Sequence, residues 1–365
     1  MILLKKIFSL FKLIFNFVAW LLSLLYSEIF KIREYRLWLR EDSWHPGPVT
    51  ISIGNLEMGG GGKTPFSIFL LKQFKKNKQN FAHSSRAYKS SAENNGTVIN
   101  AAVTDLTKIS SSQVGDEPLM LMRSLEHGTF ILGKKRKLLM SNLAQQLAMK
   151  TSFDVILLED AFQHWNIERD VDVVLVDASS SMDSYQLAPL GRLREEKKYL
   201  WRADIVVFSK WNLISDQTRK AWVSLLSPHI RLDAPLLKME YDCVGFKSVN
   251  NNEKISLKQI RGEEVVVFSG IANHSSFLEL LRGLELVILK DWNFSDHKSY
   301  HGRTIKPILD YATQHRVKIL CTEKDAVKLQ EIYQGDNIYY ADLNQFVAHL
   351  DGSEWNGFKN LIKLS

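Results

Sequence analysis

Apolar residues crowd the start of the chain. From Ile7 to Tyr26 the polar interruptions are Ser9, Lys12, Asn16 and Ser23. On a helix these positions, with Ser27, recur at spacings of three, four or seven and form one narrow stripe opposite a broad face of Phe, Leu, Ile and Trp. Such a pattern suits a helix lying in a membrane interface. At about 20 residues the stretch also approaches the length of a single span. Lys5, Lys6, Lys31, Arg33, Arg36 and Arg40 flank it and would meet anionic head groups. A cleaved signal peptide fits poorly, because no small-residue cleavage site follows; burial in the protein's own core is the plainer alternative.

Further along, the period changes. Short β-branched and apolar runs at 49–53, 81–84, 129–132, 155–158, 173–176 and 205–208 alternate with amphipathic stretches, including 65–76, 117–127 and 217–226. An irregular polar stretch at 250–253 precedes a second series, with strands expected at 265–268, 286–289 and 318–321 and helices at 276–281 and 304–314. This rhythm is that of mainly parallel sheet covered on both faces. It predicts two α/β/α domains, 41–228 and 229–365, behind an N-terminal membrane-associated segment, 1–40, with the active site in the cleft between the domains.

A chain of 365 residues exceeds one ordinary core, which agrees with two units. The formal charge of +7 favours acidic partners. No arginine-rich helix, zinc finger or RNA-binding signature accompanies it, so nucleic acid is not expected, and no protein partner is predicted. The two cysteines, Cys243 and Cys321, stand far apart and support neither a disulfide framework nor a zinc site.

The chemistry begins after the first strand. Asn55, Leu56, Glu57, Met58, Gly59, Gly60, Gly61, Gly62, Lys63 and Thr64 run from a buried strand into a helix. Glycines let successive backbone N–H groups turn toward phosphate oxygens, and the helix N-terminus adds positive potential. Residues 57–64 are therefore the expected ATP-binding loop, with Lys63 reaching the β and γ phosphates and Thr64 holding Mg2+. Glu57 departs from the generic pattern, which has glycine there. A second apolar strand ends in Glu159 and Asp160, expected to orient Mg2+ or its water shell, and Gln163 is expected near the γ-phosphate. The first domain is thus of the phosphate-loop NTPase kind.

These residues resemble the lipid A 4'-kinase (tetraacyldisaccharide 4'-kinase) family over most of the chain. Ile53 to Pro65 looks like its glycine-loop block. Ser85-Arg86-Ala87-Tyr88 is similar to Ser-Arg-Gly-Tyr with alanine in place of glycine, and Val114 to Pro118 contains GDEP. Glu159 to His164 is similar to DDGFQH. Pro189 to Glu195, Arg202-Ala203-Asp204, Phe294-Ser295-Asp296-His297 and Thr322 to Lys328 follow in family order. The resemblance implies transfer of the ATP γ-phosphoryl to the 4'-hydroxyl of a tetraacylated disaccharide 1-phosphate, the lipid A precursor, at the cytoplasmic face of the bacterial inner membrane among its lipids. It carries the catalytic base onto Asp116, assisted by His297. Lys298 stands where a second histidine is common.

Beside this stands a plainer reading: Asp116 and Glu117 cap the helix at 117–127 and His297 caps another. Arg86, Arg136, Arg192 and Arg194 are candidates for the substrate 1-phosphate or the nucleotide, since a guanidinium fork binds phosphate bidentately; Glu117 joins Arg86, Arg192 and Arg194 as a substrate-binding candidate. From another class, a membrane-associated phosphate-loop ATPase or switch acting on a protein partner would carry the same loop around Lys63.

Overall fold

The computed structural model describes residues 16–32, 35, 43–147, 153–251, 253–355 and 357. Of the predicted N-terminal positions, Lys5, Lys6, Ser9, Lys12, Arg33, Arg36 and Arg40 lie outside these residues. Helix α1 covers 16–32. It buries Ala19 and Ser23 and exposes Phe17, Trp20, Leu21, Leu24, Leu25 and Ile29. Ser27 donates to Glu196 Oε1 at 2.6 Å, and the Phe30 ring meets Tyr199 edge-on at 5.5 Å. The inner part of the small, polar stripe therefore packs on the protein body, while the bulky apolar residues face outward. Among the described residues no helix is long and apolar enough to cross a membrane.

The remaining elements follow as β1 (Val49–Asn55), α2 (Lys63–Lys76), β2 (Phe81–Ser85), α3 (Ser91–Asn95), β3 (Thr97–Asn100), α4 (Ser111–Val114), α5 (Asp116–Leu125), β4 (Thr129–Leu132), α6 (Arg136–Leu147), β5 (Val155–Glu159), β6 (Val171–Asp177), β7 (Ile205–Ser209) and α7 (Asp216–Leu226). Then come β8 (Leu236–Ser248), β9 (Lys254–Ser256), α8 (Leu257–Ile260), β10 (Glu264–Ser269), α9 (His274–Gly283), β11 (Val287–Asn293), α10 (Gly302–His315), β12 (Lys318–Cys321), α11 (Glu323–Leu329) and β13 (Ile338–His349). The result is a mixed α/β fold on a mostly parallel sheet.

Apolar spacing explains how the layers close. In α2 the positions Phe66, Leu70, Leu71 and Phe74 share one face and are fully buried, against strands such as β1, where every residue is buried. Each such side chain contributes roughly 1.5–3 kcal/mol by leaving water. Lys75 and Lys76 close the last turn of α2, where cations suit the negative end of the helix dipole.

Among the described residues all the strands lie in one sheet, in the order β11-β10-β12-β13-β8-β7-β6-β1-β5-β2-β4-β3, with β9 beside β8. Two long strands that the sequence pattern did not announce, β8 and β13, pair antiparallel from Tyr339↔Ser248 to His349↔Leu237. Their registers determine where function can sit. Strand β7 joins only the start of β8, at Leu236 to Met239. Strand β12 joins only the start of β13, at Ile338 to Tyr340, opposite the far end of β8. Between Met239 and Lys247 the ribbon climbs ~25 Å at about 3.3 Å per residue. Because β13 runs opposite to β8, the strands β10, β11 and β12 point back toward the first half of the sheet. The carboxyl ends of both half-sheets therefore face each other, and ligands of open α/β sheets bind outside carboxyl ends.

Candidate active site

On the first edge, the chain leaves β1 at Asn55 and enters α2 at Lys63. The turn needs left-handed backbone at Gly62, where φ is +84° and an added Cβ would meet Ser209 and the Tyr241 hydroxyl at 2.9–3.0 Å. The loop is pinned from one side by an antiparallel neighbour, since Met58 N donates to Arg192 O at 2.7 Å and Arg194 N donates to Leu56 O at 2.7 Å. Arg202 anchors that neighbour: it pairs with buried Glu195 at 2.6 Å and stacks on Phe162 and Trp165 at 4.1 and 4.0 Å. Two segments distant from it in sequence, 162–165 and 192–202, thus hold the loop.

Inside the loop, Lys63 donates to Asn55 Oδ1 at 2.9 Å and to Gly59 O at 3.2 Å, and pairs with Asp160 at 3.2 Å. Arg194 also reaches Asp160, at 3.2 Å, and Asn55 Oδ1, at 3.3 Å. Gln163 donates to Asn55 O at 3.0 Å. Burial acts to raise the Asp160 carboxyl, but Lys63 and Arg194 outweigh it and hold it below the ordinary carboxylate range. Asn55 and Asp160 thus occupy the cationic groups of Lys63 and Arg194.

Thr64 Oγ1 donates to Glu159 Oε1 at 2.9 Å, and buried His83 stands 3.3 Å from the other oxygen, Oε2. The Arg136 guanidinium donates to the Glu159 carbonyl, and burial lowers that arginine to about 10. Burial alone would raise Glu159; His83, Thr64 and Lys63 bring it below its ordinary value. A hydroxyl and an ionised carboxylate side by side form a hard oxygen pair. That donor set fits Mg2+, which takes one or two protein oxygens and completes its shell with phosphate and water.

Glu57 turns away from the loop's interior. It is 2% exposed, with Oε1 3.4 Å from Asp177 N, and burial followed by the Asp177 charge raises its carboxyl. Lys210 closes the same corner by pairing with Asp177 at 2.7 Å. Arg192 donates to Met58 O at 2.8 Å. Arg192 and Arg194 thus belong to the glycine loop's surroundings. Arg86 instead pairs with Glu93 at 2.7 Å and lies over Tyr88.

On the second edge, Asp116 opens α5 and is buried. His297, in the turn after β11, places Nδ1 3.1 Å from both Asp116 carboxylate oxygens. The histidine caps no helix; it holds φ at +58° in a turn closed by Lys298 N donating to Ser295 O at 3.0 Å. Lys324, from α11, reaches Glu117 at 2.9 Å, Asp296 at 3.1 Å and His297 Nε2 at 3.3 Å. Lys328 and Lys324 both stand 3.9 Å from Asp116. Burial would raise Asp116, but the His297 hydrogen bond and the lysine charges hold it well below the ordinary carboxylate range. Asp116 and Glu117 do sit in the first turn of a helix, yet their carboxylates are engaged by groups from the other half-sheet.

The edges touch. Ala272, in the loop after β10, approaches the Cβ position of Gly59 at 3.9 Å, and Asn273 lies 3.4 Å from Ser179. Asn55 and Lys324 lie in the blocks at 53–65 and 322–328, whose pattern gives them no role, and His83 lies in none of the blocks. The order of blocks alone could flag Lys324; nothing in the pattern of β2 marks His83.

The glycine loop at the start of α2, the hydroxyl–carboxylate pair beside it and the Asp116–His297 pair stand on facing strand ends. Residues 15–354 match the family model for tetraacyldisaccharide-1-P 4'-kinase, LpxK. Tetraacyldisaccharide 4'-kinases of Desulfotalea psychrophila and Cytophaga hutchinsonii are 34% and 31% identical, covering 86% and 88% of this chain and 87% and 88% of their own. That of Bdellovibrio bacteriovorus is 28% identical, over 81% of this chain and 84% of its own. LpxK of Aquifex aeolicus in complex with ATP has the same fold, with a TM-score of 0.70 at 24% identity over 96% of this chain and 98% of that one. The chain belongs to the tetraacyldisaccharide 4'-kinase family, kinases of lipid A biosynthesis.

Proposed function

We propose that the chain transfers the γ-phosphoryl group of ATP to the 4'-hydroxyl of a tetraacyldisaccharide 1-phosphate, giving the 1,4'-bisphosphorylated lipid A precursor. The observation that carries this reading is the Asp116–His297 contact, 3.1 Å across facing strand ends, beside a glycine loop on the same gap. Residues 57–64 cradle the phosphates. Lys63 leaves Asp160 and Asn55 for the β and γ oxygens, and Arg194, Arg192 and Gln163 brace the nucleotide side. Thr64 and Glu159 would hold Mg2+, with Asp160 beside them, and the ion would supply charge neutralisation at the phosphates.

Asp116 takes the proton of the 4'-hydroxyl as that oxygen bonds to the γ-phosphorus. The bond from phosphorus to the β–γ bridging oxygen breaks, and its electron pair leaves on ADP. His297 orients the carboxylate. Glu117 and Arg86, near Tyr88 and the same histidine, are placed for the sugar and its 1-phosphate. Segments 41–228 and 229–365 act as two lobes joined by the β8–β13 ribbon, and closure between them completes the site.

The outward apolar face of α1 docks this machinery on the cytoplasmic face of the inner membrane, with basic neighbours near anionic lipid head groups. Labelled γ-phosphate, presented with the tetraacylated disaccharide 1-phosphate in detergent micelles, is the test. Label in the lipid is the expected result. Release of free phosphate with the lipid unlabelled would overturn the reading.

A further inference from the structure

Lys324 stands where three polar groups of the acceptor site converge. Its ammonium has three N–H donors and no acceptor. Three oxygens or nitrogens lie within reach: Glu117 Oε1 at 2.9 Å, Asp296 Oδ1 at 3.1 Å and His297 Nε2 at 3.3 Å. The side chain is 14% exposed, so water does not compete strongly for those donors. Burial would lower its pKa, but Glu117, Asp116 and Asp296 raise it further, so the ammonium keeps its proton.

An ammonium can approach an imidazole nitrogen in this way only if that nitrogen presents a lone pair. Nε2 of His297 is therefore the unprotonated nitrogen, and the ring proton sits on Nδ1. The other side of the ring favours the same arrangement. Nδ1 faces both oxygens of an ionised Asp116 at 3.1 Å, and an ionised carboxylate only accepts. Asp296 Oδ2, at 3.8 Å from Nε2, is too far to draw a proton there. Tyr88 packs against the ring with centroids 5.3 Å apart and planes at 76°.

We propose that Lys324 is a positioning residue that fixes the tautomer of His297, with the proton on Nδ1 and donated to Asp116, leaving Asp116 as the group that accepts the hydroxyl proton. Without the ammonium, Nε2 becomes free to carry the ring proton. In that tautomer the Nδ1 lone pair faces the Asp116 carboxylate and the pair repels instead of orienting. The assignment rests on the reading of Asp116 and His297 as the catalytic pair. It adds that the two are not interchangeable: His297 cannot serve as the base while Lys324 occupies Nε2.

Nitrogen-15 spectra of the histidine-labelled full chain, with His297 assigned by its loss in His297→Gln, read the tautomer directly. The expected result is a protonated Nδ1 and an imine-like Nε2 in the unmodified protein. In Lys324→Met, Nε2 should become protonated in part of the population. Turnover should then fall about 10²-fold, at the lower end of what a positioned base contributes, with KM for ATP unchanged. Lys324→Arg, which keeps a donor and a charge, should recover part of the rate.

A protonated Nε2 in the unmodified protein would overturn the proposal whether or not the variants fold. So would a Lys324→Met chain with native His297 signals or unchanged turnover. Full activity in Asp116→Asn would instead remove the catalytic reading itself, while leaving the tautomer assignment standing.

Discussion

The two facing edges differ in how they are made. On the β1 side a single run, Asn55 to Thr64, supplies the loop, the lysine and the hydroxyl, and distant segments only brace it. On the β10–β12 side no segment is sufficient: Asp116 comes from α5, His297 from the turn after β11 and Lys324 from α11, joined across more than 180 positions of sequence. A contiguous site depends on one segment, whereas a site assembled across the gap depends on both edges at once.

Substitutions should separate the two. Asp116→Asn, which keeps the shape and removes the base, should lower kcat by about 10²–10⁴ while ATP affinity stays native, read by lipid-transfer kinetics beside ATP binding. Lost ATP affinity in this variant would erase the distinction between the edges. Lys63→Ala should reduce transfer by about 10²–10³, as for one lost phosphate-stabilising donor, and should weaken ATP binding as well.

Acid should act on the assembled edge. Asp116 has a folded pKa below its unfolded value of about 4, so its ion contributes stability in full above that pH. The contribution is lost as pH falls from about 4 toward the folded value. Asp116→Asn should therefore show a shallower loss of melting temperature in this window than the unmodified chain; parallel curves would count against the pairing.

The smallest effect concerns Ala87, which holds φ at +54° where the family block has glycine. Left-handed backbone costs a residue with a Cβ roughly 1–2 kcal/mol. Ala87→Gly should stabilise by about 1 kcal/mol, since glycine gives back part of the gain through the freer unfolded chain. Calorimetry would check this, and a lower melting temperature would show that the strain is not relieved.

The same contrast explains what could be read before the structure. The glycine loop was legible because its chemistry is contiguous, and the strand–helix alternation because β1, β5, β6 and β7 are buried runs. The ribbon was not. Strand β8 alternates buried Leu237, Met239 and Tyr241 with Lys238, Glu240 and Asp242, and β13 carries Asp342, Asn344 and Gln345, so neither reads as a core strand. Without the ribbon, nothing in the residues says that the second series of strands runs backward. The partners of His297 and Glu159 were hidden for a related reason, because Lys324 and His83 acquire meaning only through the group that packs beside them.

The reversal of strand direction at β8 and β13 also sets a rule for how the two substrates sense each other. If ATP in the glycine loop favours the approach of the opposing edge by some factor, the acceptor sugar, held on that edge, must tighten ATP binding by the same factor, because linkage between two binding sites is reciprocal. Occupancy by either substrate would then prepare the other's place.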